Sequence, residues 1–292
     1  MTLHTNGVKA PGPLLRAYLD VLAWLRSVLM VRVVVRDGKH RSIFLCSNRL
    51  QAYRAMTLWI KEAGTMNWIE RDVHAGEVFL DIGANVGLYT IAAAHRVGPG
   101  GHVFALEPHK PSMLSLLENI AANDLGKTVS VIAIPVSDTK EVAQFNYTSL
   151  SPSVTGSQFG STFKDGTNKS FTPSAQELCV SSSVDELVAI GAVRPFNHAK
   201  IDVDGIELRI LVGMKGQLTG RSRPRTVQVE LNVGQQDQII DFMASCGYRL
   251  AERHFTLSGQ KQLAKGIDPS KITHNAIFAP EVGAAGEKPE VA

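Results

Sequence analysis

The 292-residue sequence has few cysteines, no marked excess of charge of one sign and no long uninterrupted apolar run. Its three cysteines, Cys46, Cys179 and Cys246, are far apart and form no C-x-x-C motif, which argues against a disulfide framework or a zinc site. They are typical of a reducing compartment, so we expect a cytoplasmic protein. The formal net charge of +3 is low for a nucleic-acid-binding surface, and no nucleic-acid partner is predicted.

The most apolar stretch near the N-terminus, residues 14–30, is interrupted by Arg16, Asp20 and Arg26. A membrane-spanning helix needs about 20 predominantly apolar residues, and a signal peptide has a different layout, so we predict neither. The apolar residues recur at helical spacing instead. This pattern predicts an amphipathic helix that packs on the domain, with docking on a membrane surface as the alternative.

The residues that follow this helix are predicted to form the rest of a small N-terminal cap. Two β-rich runs flank Asp37-Gly38, which is a hairpin signal, and helices are predicted over about 50–61 and from Thr65 onward. The tail is small and polar, which is typical of disorder. We therefore expect three parts: a helix-hairpin-helix cap over 1–70, a main domain over 71–280 and a disordered tail over 281–292.

From Val78 onward, short apolar runs alternate with helical patterns, which predicts an α/β fold with a mostly parallel sheet covered on both faces. Two late strand-like runs, "YRLAERH" and "HNAIFAP", are expected to form an antiparallel edge at the C-terminal end. Ligands of such sheets bind beyond the carboxyl ends of the strands. The segment 149–180, rich in Ser, Thr and Gly, is predicted to be a substrate-covering lid, with a solvated insertion as the alternative.

The stretch "VFLDIGANVGLYT" places Asp81 at the end of a strand and a glycine-containing turn before a helix. Asn85 occupies the second glycine position of a dinucleotide fingerprint, and the third glycine is missing, so an NAD site is disfavoured. Asp81 would repel a pyrophosphate and attract a cationic amine. Its alternative role is to cap the following helix.

Glu107 lies twenty residues beyond Gly87, in "FALEP" at the end of the second strand. An acid at this place can accept hydrogen bonds from both hydroxyls of a ribose. A ligand that has a ribose and an ammonium group but no phosphate matches S-adenosylmethionine (AdoMet), which we predict as the cofactor. The alternative for Glu107 is a solvated loop acid.

Three stretches, "VFLDIGANVGLYT", "VFALEP" and "KIDVDGIELRILVGM", together resemble the FkbM family of AdoMet-dependent methyltransferases over about 68–280. The third is the most specific, although Asp204 stands where the family usually has glutamate. The resemblance implies a Rossmann-like class I methyltransferase fold. It also implies a methionine site at Asp81, Gly83, Asn85 and Gly87, a ribose site at Glu107 and an adenine site at Ser137 and Asp138. A helix cap or turn is the alternative for Ser137 and Asp138.

Methyl transfer to a hydroxyl requires alignment and a group that takes the proton, either a base or a metal-activated oxygen. Asp202, Asp204 and Glu230 lie at the ends of the next two sheet strands and are the predicted catalytic residues. Asn232 and His198 are predicted to bind substrate. The alternative is that the carboxylates cap helices or pair with basic neighbours. A divalent metal is possible here but is not predicted.

These observations predict an AdoMet-dependent O-methyltransferase that acts on a small-molecule or glycan hydroxyl, such as that of a sugar or a secondary metabolite. The alternatives are N- or carboxyl methylation of a small molecule, and a non-catalytic AdoMet-fold module that binds a partner. The intact acid and glycine set disfavours the binding module. Sequence alone leaves the oligomeric state open.

Overall fold

The computed structural model describes residues 12–37, 40–160 and 171–281. The N-terminal region follows the predicted order of helix, hairpin and helices, whereas the hairpin tip at Gly38 and the tail beyond 281 lie outside the described residues. The division into domains stays a prediction. The elements are α1 (Pro13–Val28), β1 (Val31–Asp37), β2 (His40–Cys46), α2 (Arg49–Met56), α3 (Leu58–Lys61) and α4 (Ala63–Asp72).

The rest of the chain alternates strands and helices. In chain order these are β3 (Val78–Ile82), α5 (Leu88–Val97), β4 (His102–Leu106), α6 (Lys110–Ala122), β5 (Val129–Ile132), β6 (Val142–Tyr147), β7 (Gln158–Phe159), β8 (Ala175–Val180), α7 (Val184–Ala189), β9 (His198–Ile201), α8 (Glu207–Val212), α9 (Lys215–Thr219), β10 (Thr226–Leu231), α10 (Gln236–Ser245), β11 (Tyr248–His254), α11 (Leu257–Ala264), a short 3-10 helix (Pro269–Lys271) and β12 (His274–Pro280).

A seven-stranded sheet has the order β11-β12-β10-β9-β3-β4-β5. Strands β10, β9, β3, β4 and β5 are parallel, and β12 and β11 form the antiparallel edge. The predicted Rossmann-like α/β fold with an antiparallel C-terminal edge is therefore confirmed. The connections reverse their direction across the sheet between β3 and β9, which opens a crevice at the carboxyl ends of these two strands.

Two apolar cores cover the two faces of this sheet. Ile201 and Leu80 belong to the core that contains α8 and α10. Phe79 packs in the other core with α5 and with Trp68 of α4. Trp68 is fully buried, and its Nε1 donates to Thr226 Oγ1 at 2.9 Å. The helices α2–α4 thus share a core with the sheet and form one wall of the crevice.

Helix α1 differs from its prediction, because it does not bury its apolar stripe on the domain. Leu14, Val21 and Leu25 of that stripe keep 88%, 53% and 38% of their surface exposed in the described part of the chain. Among the described residues, no helix combines the length and the apolar character needed to cross a membrane.

The predicted lid segment contains regular structure that the sequence did not reveal. Strands β6, β7 and β8 form a separate three-stranded antiparallel sheet, with β6 at its centre. Burial alternates along β8, as expected for a strand with one solvated face. Residues 161–170 of the segment lie outside the described residues.

Candidate active site

The glycine turn after β3 fits closely against the end of β9. Gly83 and Gly87 have φ angles of +79° and +86°, which favour glycine, and Asn85 has a φ of +50°. A Cβ atom added at Gly83 would lie 2.1 Å from the backbone oxygen of Asp202. The turn therefore requires glycine at position 83 for both its backbone conformation and its packing.

Glu107 follows β4 and holds the glycine turn through its carboxylate. One oxygen accepts the backbone N–H of Asn85 at 2.6 Å, and the other accepts that of His109 at 2.7 Å. Glu107 is buried, and burial raises the pKa of its carboxyl group to about 7. Each carboxylate oxygen retains a lone pair for a further donor.

Glu107 lines a cavity of about 110 Å³, which we call the apolar cavity. Asn85 also lines it, and the Oδ1 atom of Asn85 is buried without a hydrogen-bond partner among the described residues. Most of the lining is aliphatic or aromatic, which suits a flat ring. Its apolar side chains include Leu106, Ile134, Val136, Phe145, Ile206 and Ile210.

Asp81 does not line the apolar cavity, although we predicted that it would bind a ligand amine. It is fully buried, and its Oδ2 accepts from Thr90 Oγ1 at 2.6 Å. Its other oxygen lies 3.7 Å from Lys200 Nζ. Asp81 thus already faces a protein cation, and the structure does not bring it to the predicted ammonium site.

Lys200 joins Asp81 to the crevice. Its ammonium donates to Asp202 Oδ2 at 2.9 Å and lies 4.9 Å from the centre of the Tyr89 ring. Burial alone would lower the pKa of Lys200, but the two carboxylates outweigh it and raise that pKa. Burial would likewise raise the pKa of Asp202, but Lys200 keeps it below its ordinary value. The pair is therefore ionised at neutral pH.

A second cavity of about 210 Å³, the charged cavity, lies between the sheet and the cap helices. It contains Tyr89, Lys200 and Glu230 from the main domain, and Arg54 and Lys61 from α2 and α3. The two cavities adjoin. The residues that line both are Gly83, Asn85, Thr155, Asp202 and Asp204.

Glu230 near the end of β10 belongs to a network of acids. Asn232 Nδ2 donates to Glu230 Oε2 and to Glu207 Oε1, at 3.2 Å in both cases. Burial, followed by repulsion from neighbouring carboxylates including Asp202, raises the pKa of Glu230 well above its ordinary value. Burial raises that of Glu207 to about 8. Within the charged cavity, Glu230 is thus a stronger base than an ordinary carboxylate.

Glu207 was not among the predicted site residues. It is fully buried, its Oε1 accepts the backbone N–H of Gly205 at 3.1 Å, and its Oε2 has no hydrogen-bond partner among the described residues. The available signal was its place in "KIDVDGIE", the stretch that carries the family resemblance.

Asp204 fastens the predicted lid to the crevice. Its carboxylate accepts the backbone N–H of Gly156, and its backbone oxygen accepts from Gln158 Nε2 at 3.1 Å. Thr155, Gln158 and Phe159 line the apolar cavity. The segment 154–159 therefore covers the crevice. Asp204 holds this segment by hydrogen bonds and also lines both cavities.

The structure does not bring Ser137, Asp138 or His198 to either cavity. Asp138 instead accepts from the Arg209 guanidinium at 2.7 Å. His198 is the first residue of β9 and contacts Thr226 and Glu77, so it lies at the amino ends of the parallel strands. Ligands of this fold bind at the opposite end, so the position of His198 does not support its predicted substrate-binding role.

His109 has a capping role beside the apolar cavity. Its side chain caps α6, and its ring nitrogens contact Ser112 and the backbone oxygen of Ser149. In the described part of the chain, no group of three or more His, Cys, Asp or Glu side chains is arranged to hold a metal ion.

Comparison with known proteins identifies the family. Residues 81–250 match the methyltransferase FkbM domain, which covers more than half of the chain. The chain belongs to the FkbM methyltransferase family. This family assignment, together with the fold, makes it a member of the AdoMet-dependent methyltransferases. No curated protein matches the sequence.

Solved structures similar to this FkbM-family chain are distant in sequence. A methyltransferase FkbM from Methylobacillus flagellatus KT shares 13% identity and a TM-score of 0.44, and the match covers 77% of this chain and 54% of that one. A SAM-dependent O-methyltransferase from Thermotoga maritima shares 13% identity and a TM-score of 0.42, covering 87% and 79%. Aeropyrum pernix fibrillarin with bound S-adenosyl-L-methionine shares 12% identity and a TM-score of 0.44, covering 86% and 100%.

Proposed function

We propose that this FkbM-family protein is an AdoMet-dependent O-methyltransferase that methylates a hydroxyl group of a sugar, glycan or secondary metabolite. One observation carries the proposal. Glu230, an acid with a raised pKa, faces a cavity that adjoins the apolar cavity along a common wall. A hydroxyl acceptor needs such a base, because alcohols hold their protons firmly at neutral pH.

The residues of the apolar cavity fit AdoMet. The aliphatic and aromatic lining suits adenine, and Glu107 has lone pairs for the ribose hydroxyls. Asn85 Oδ1, buried without a hydrogen-bond partner among the described residues, is an acceptor for a donor of the ligand. We assign the ammonium group to Asp202 and Asp204, since they line the cavity as carboxylates and Asp81 does not.

When bound, AdoMet supplies a methyl group on a positively charged sulfur. In the proposed reaction the acceptor oxygen forms a bond to the methyl carbon while the carbon–sulfur bond breaks and its electron pair stays on sulfur. Glu230 takes the hydroxyl proton. Asp202 keeps its negative charge beside Lys200 and orients the reactants, and segment 154–159 excludes water from the crevice.

The different pKa shifts of the two carboxylates support these roles. A base works best when its pKa lies near the operating pH. Lys200 lowers the pKa of Asp202, which makes Asp202 a weak base, whereas burial and nearby acids raise that of Glu230. We therefore favour Glu230 as the base and Asp202 as an orienting group.

The proposal is tested first by calorimetry with S-adenosylhomocysteine and with NAD, where only the former should bind. Sugars and metabolites are then screened with AdoMet carrying a radiolabelled methyl group. An O-methylated alcohol resists mild alkali, whereas a methyl ester is hydrolysed. Label that is released by alkali, or label on nitrogen, would contradict the proposed acceptor chemistry.

A further inference from the structure

The charged cavity has an excess of cations on the side of the cap helices and an excess of acids on the side of the sheet. Each side also carries one group of the opposite charge, Glu62 on the cap side and Lys200 on the sheet side. Arg54 on α2 and Lys61 on α3 line the side formed by the cap helices. Asp202 and Glu230 line the side formed by the sheet, where methyl transfer is proposed. A ligand that occupies this cavity would meet opposite charges at its two ends.

Arg54 is available for a ligand. It is partly buried at the cavity wall, and it has no hydrogen bond or ion pair with any described residue. The positive charge of Arg54 nevertheless acts on Asp202, because Arg54 and Lys61 both help Lys200 to lower the pKa of Asp202. A cation partly removed from water loses hydration, and an anionic ligand group would restore favourable contacts.

Lys61 is held beside this site by its neighbours. Its ammonium lies 3.3 Å from Glu62 Oε1, and Tyr89 donates to the other oxygen of Glu62 at 2.7 Å. The side chain of Lys61 is 42% exposed, so one carboxylate contact leaves further N–H donors available. Lys61 and Arg54 together thus present several donors to the cavity.

We propose that Arg54 and Lys61 bind an anionic oxygen group of the acceptor, a carboxylate or a phosphate ester. An arginine guanidinium matches both groups through paired hydrogen bonds. Asp202 keeps its negative charge and repels an anion, so the acceptor lies with its anionic group toward α2 and α3 and its hydroxyl toward Glu230. This inference rests on the proposed function, and it narrows the acceptor to an acidic sugar or a similar acidic metabolite.

The test uses three probes with the full chain saturated with S-adenosylhomocysteine: glucose, glucuronate and glucose 6-phosphate. Ligand-observed NMR measures their dissociation constants. We expect at least one anionic probe to bind tenfold or more tightly than glucose, and the better one identifies carboxylate or phosphate as the group. Arg54→Gln should weaken that probe by about ten- to a hundredfold, as for the loss of a charge-assisted hydrogen bond.

Arg249→Gln is the matched control, because Arg249 is exposed on the edge strand β11 and lies outside the cavity. It should leave all three dissociation constants unchanged. Unchanged binding of S-adenosylhomocysteine to Arg54→Gln shows that the variant is folded. Equal binding of all three probes, or anion binding that survives Arg54→Gln and Lys61→Gln, would overturn the inference.

Methyl-transfer assays distinguish a failure of this inference from a failure of the proposed function. If neutral hydroxyl compounds accept label and anionic ones do not, the function stands and the anionic subsite is wrong. If Arg54-dependent anion binding is found while the methyl group goes to a carboxyl oxygen or a nitrogen, the subsite stands and O-methylation of a hydroxyl is wrong.

Discussion

Lys200 Nζ lies 2.9 Å from Asp202 Oδ2 and so fixes a carboxylate at the carboxyl end of β9. The same ammonium is 3.7 Å from Asp81 on the neighbouring strand. One buried cation therefore balances two carboxylates, and its loss would leave Asp81 without a neighbouring cation and Asp202 with only the weaker effect of Lys61 and Arg54.

Lys200→Met should destabilise the protein by about 3–5 kcal/mol, as for a broken buried ion pair. The loss should shrink as the pH falls, because protonation of Asp81 and Asp202 removes the uncompensated charge. Urea unfolding at several pH values measures this, with Lys265→Met at an exposed position as the control. A destabilisation that does not change with pH would contradict the charge explanation.

Glu230→Gln should reduce turnover by roughly a hundredfold to ten-thousandfold, the usual contribution of a general base. Because the pKa of Glu230 is raised, wild-type turnover should rise with pH until Glu230 is ionised, and the variant should lose that rise. Asp202→Asn should have a smaller effect on turnover. Single-turnover rates measure the effect of both substitutions, and Glu118→Gln at an exposed position is the control. A greater loss of turnover in Asp202→Asn than in Glu230→Gln would identify Asp202 as the base.

AdoMet affinity should depend on the ionisation of Glu107, whose pKa is about 7. The carboxylate accepts ribose hydroxyls better than the neutral acid, so affinity should rise as the pH increases through 7 and level off above it. Glu107→Ala should weaken AdoMet and S-adenosylhomocysteine alike, by roughly ten- to a hundredfold. Calorimetry from about pH 6 to about 8.5 measures the affinities. If AdoMet affinity depends on pH in Glu107→Gln as it does in the wild type, the ribose assignment is wrong.

Glu207 should make folding stability fall as the pH rises. Its folded-state pKa of about 8 exceeds the ordinary 4.5, so its contribution is fully present below 4.5 and is lost progressively toward 8. By about pH 7 the loss should reach roughly 3 kcal/mol, since one pKa unit corresponds to about 1.4 kcal/mol. Glu207→Gln should flatten this slope in urea unfolding, whereas Glu118→Gln should retain it. A slope equal to wild type in Glu207→Gln would mean that the carboxyl is not buried as described.

Gly83→Ala should cost more stability than Gly76→Ala. Both positions have positive φ, at +79° and +85°, so both substitutions strain the backbone. Only at Gly83 does the added methyl group meet the Asp202 backbone, at 2.1 Å, whereas the space around Gly76 is open. Thermal unfolding and S-adenosylhomocysteine binding compare the two, and equal effects would show that packing against Asp202 contributes nothing.

The sequence predicted the sheet, its antiparallel edge and the glycine turn, because these depend on local periodicity and on glycine's backbone freedom. It did not predict the partner of Asp81. Asp81 and Lys200 are 119 positions apart in the chain and become neighbours only through the parallel register of β3 and β9. Charge balance between strands is a tertiary property that neither motif shows by itself.

Two further differences between the sequence analysis and the structure have different physical origins. His198 stands at the first residue of β9, so strand direction alone would have placed it at the amino end. Strands β6–β8 were missed because polar residues and glycine dominate the segment around them, and their pairing forms a sheet outside the main one. The predicted roles of Asp202, Asp204, Glu230 and Asn232 stay predictions, although all four lie at the crevice or contact an acid there.

Thr155 contributes to the walls of both cavities, and the segment that carries it is attached to Asp204 through Gly156. Any movement of this segment that admits one ligand therefore exposes the compartment of the other. We expect the two exchange processes to be kinetically linked, so that departure of the demethylated cofactor and entry of a new acceptor share one opening event. At pH values where that opening is slower than methyl transfer, turnover would respond to solvent viscosity.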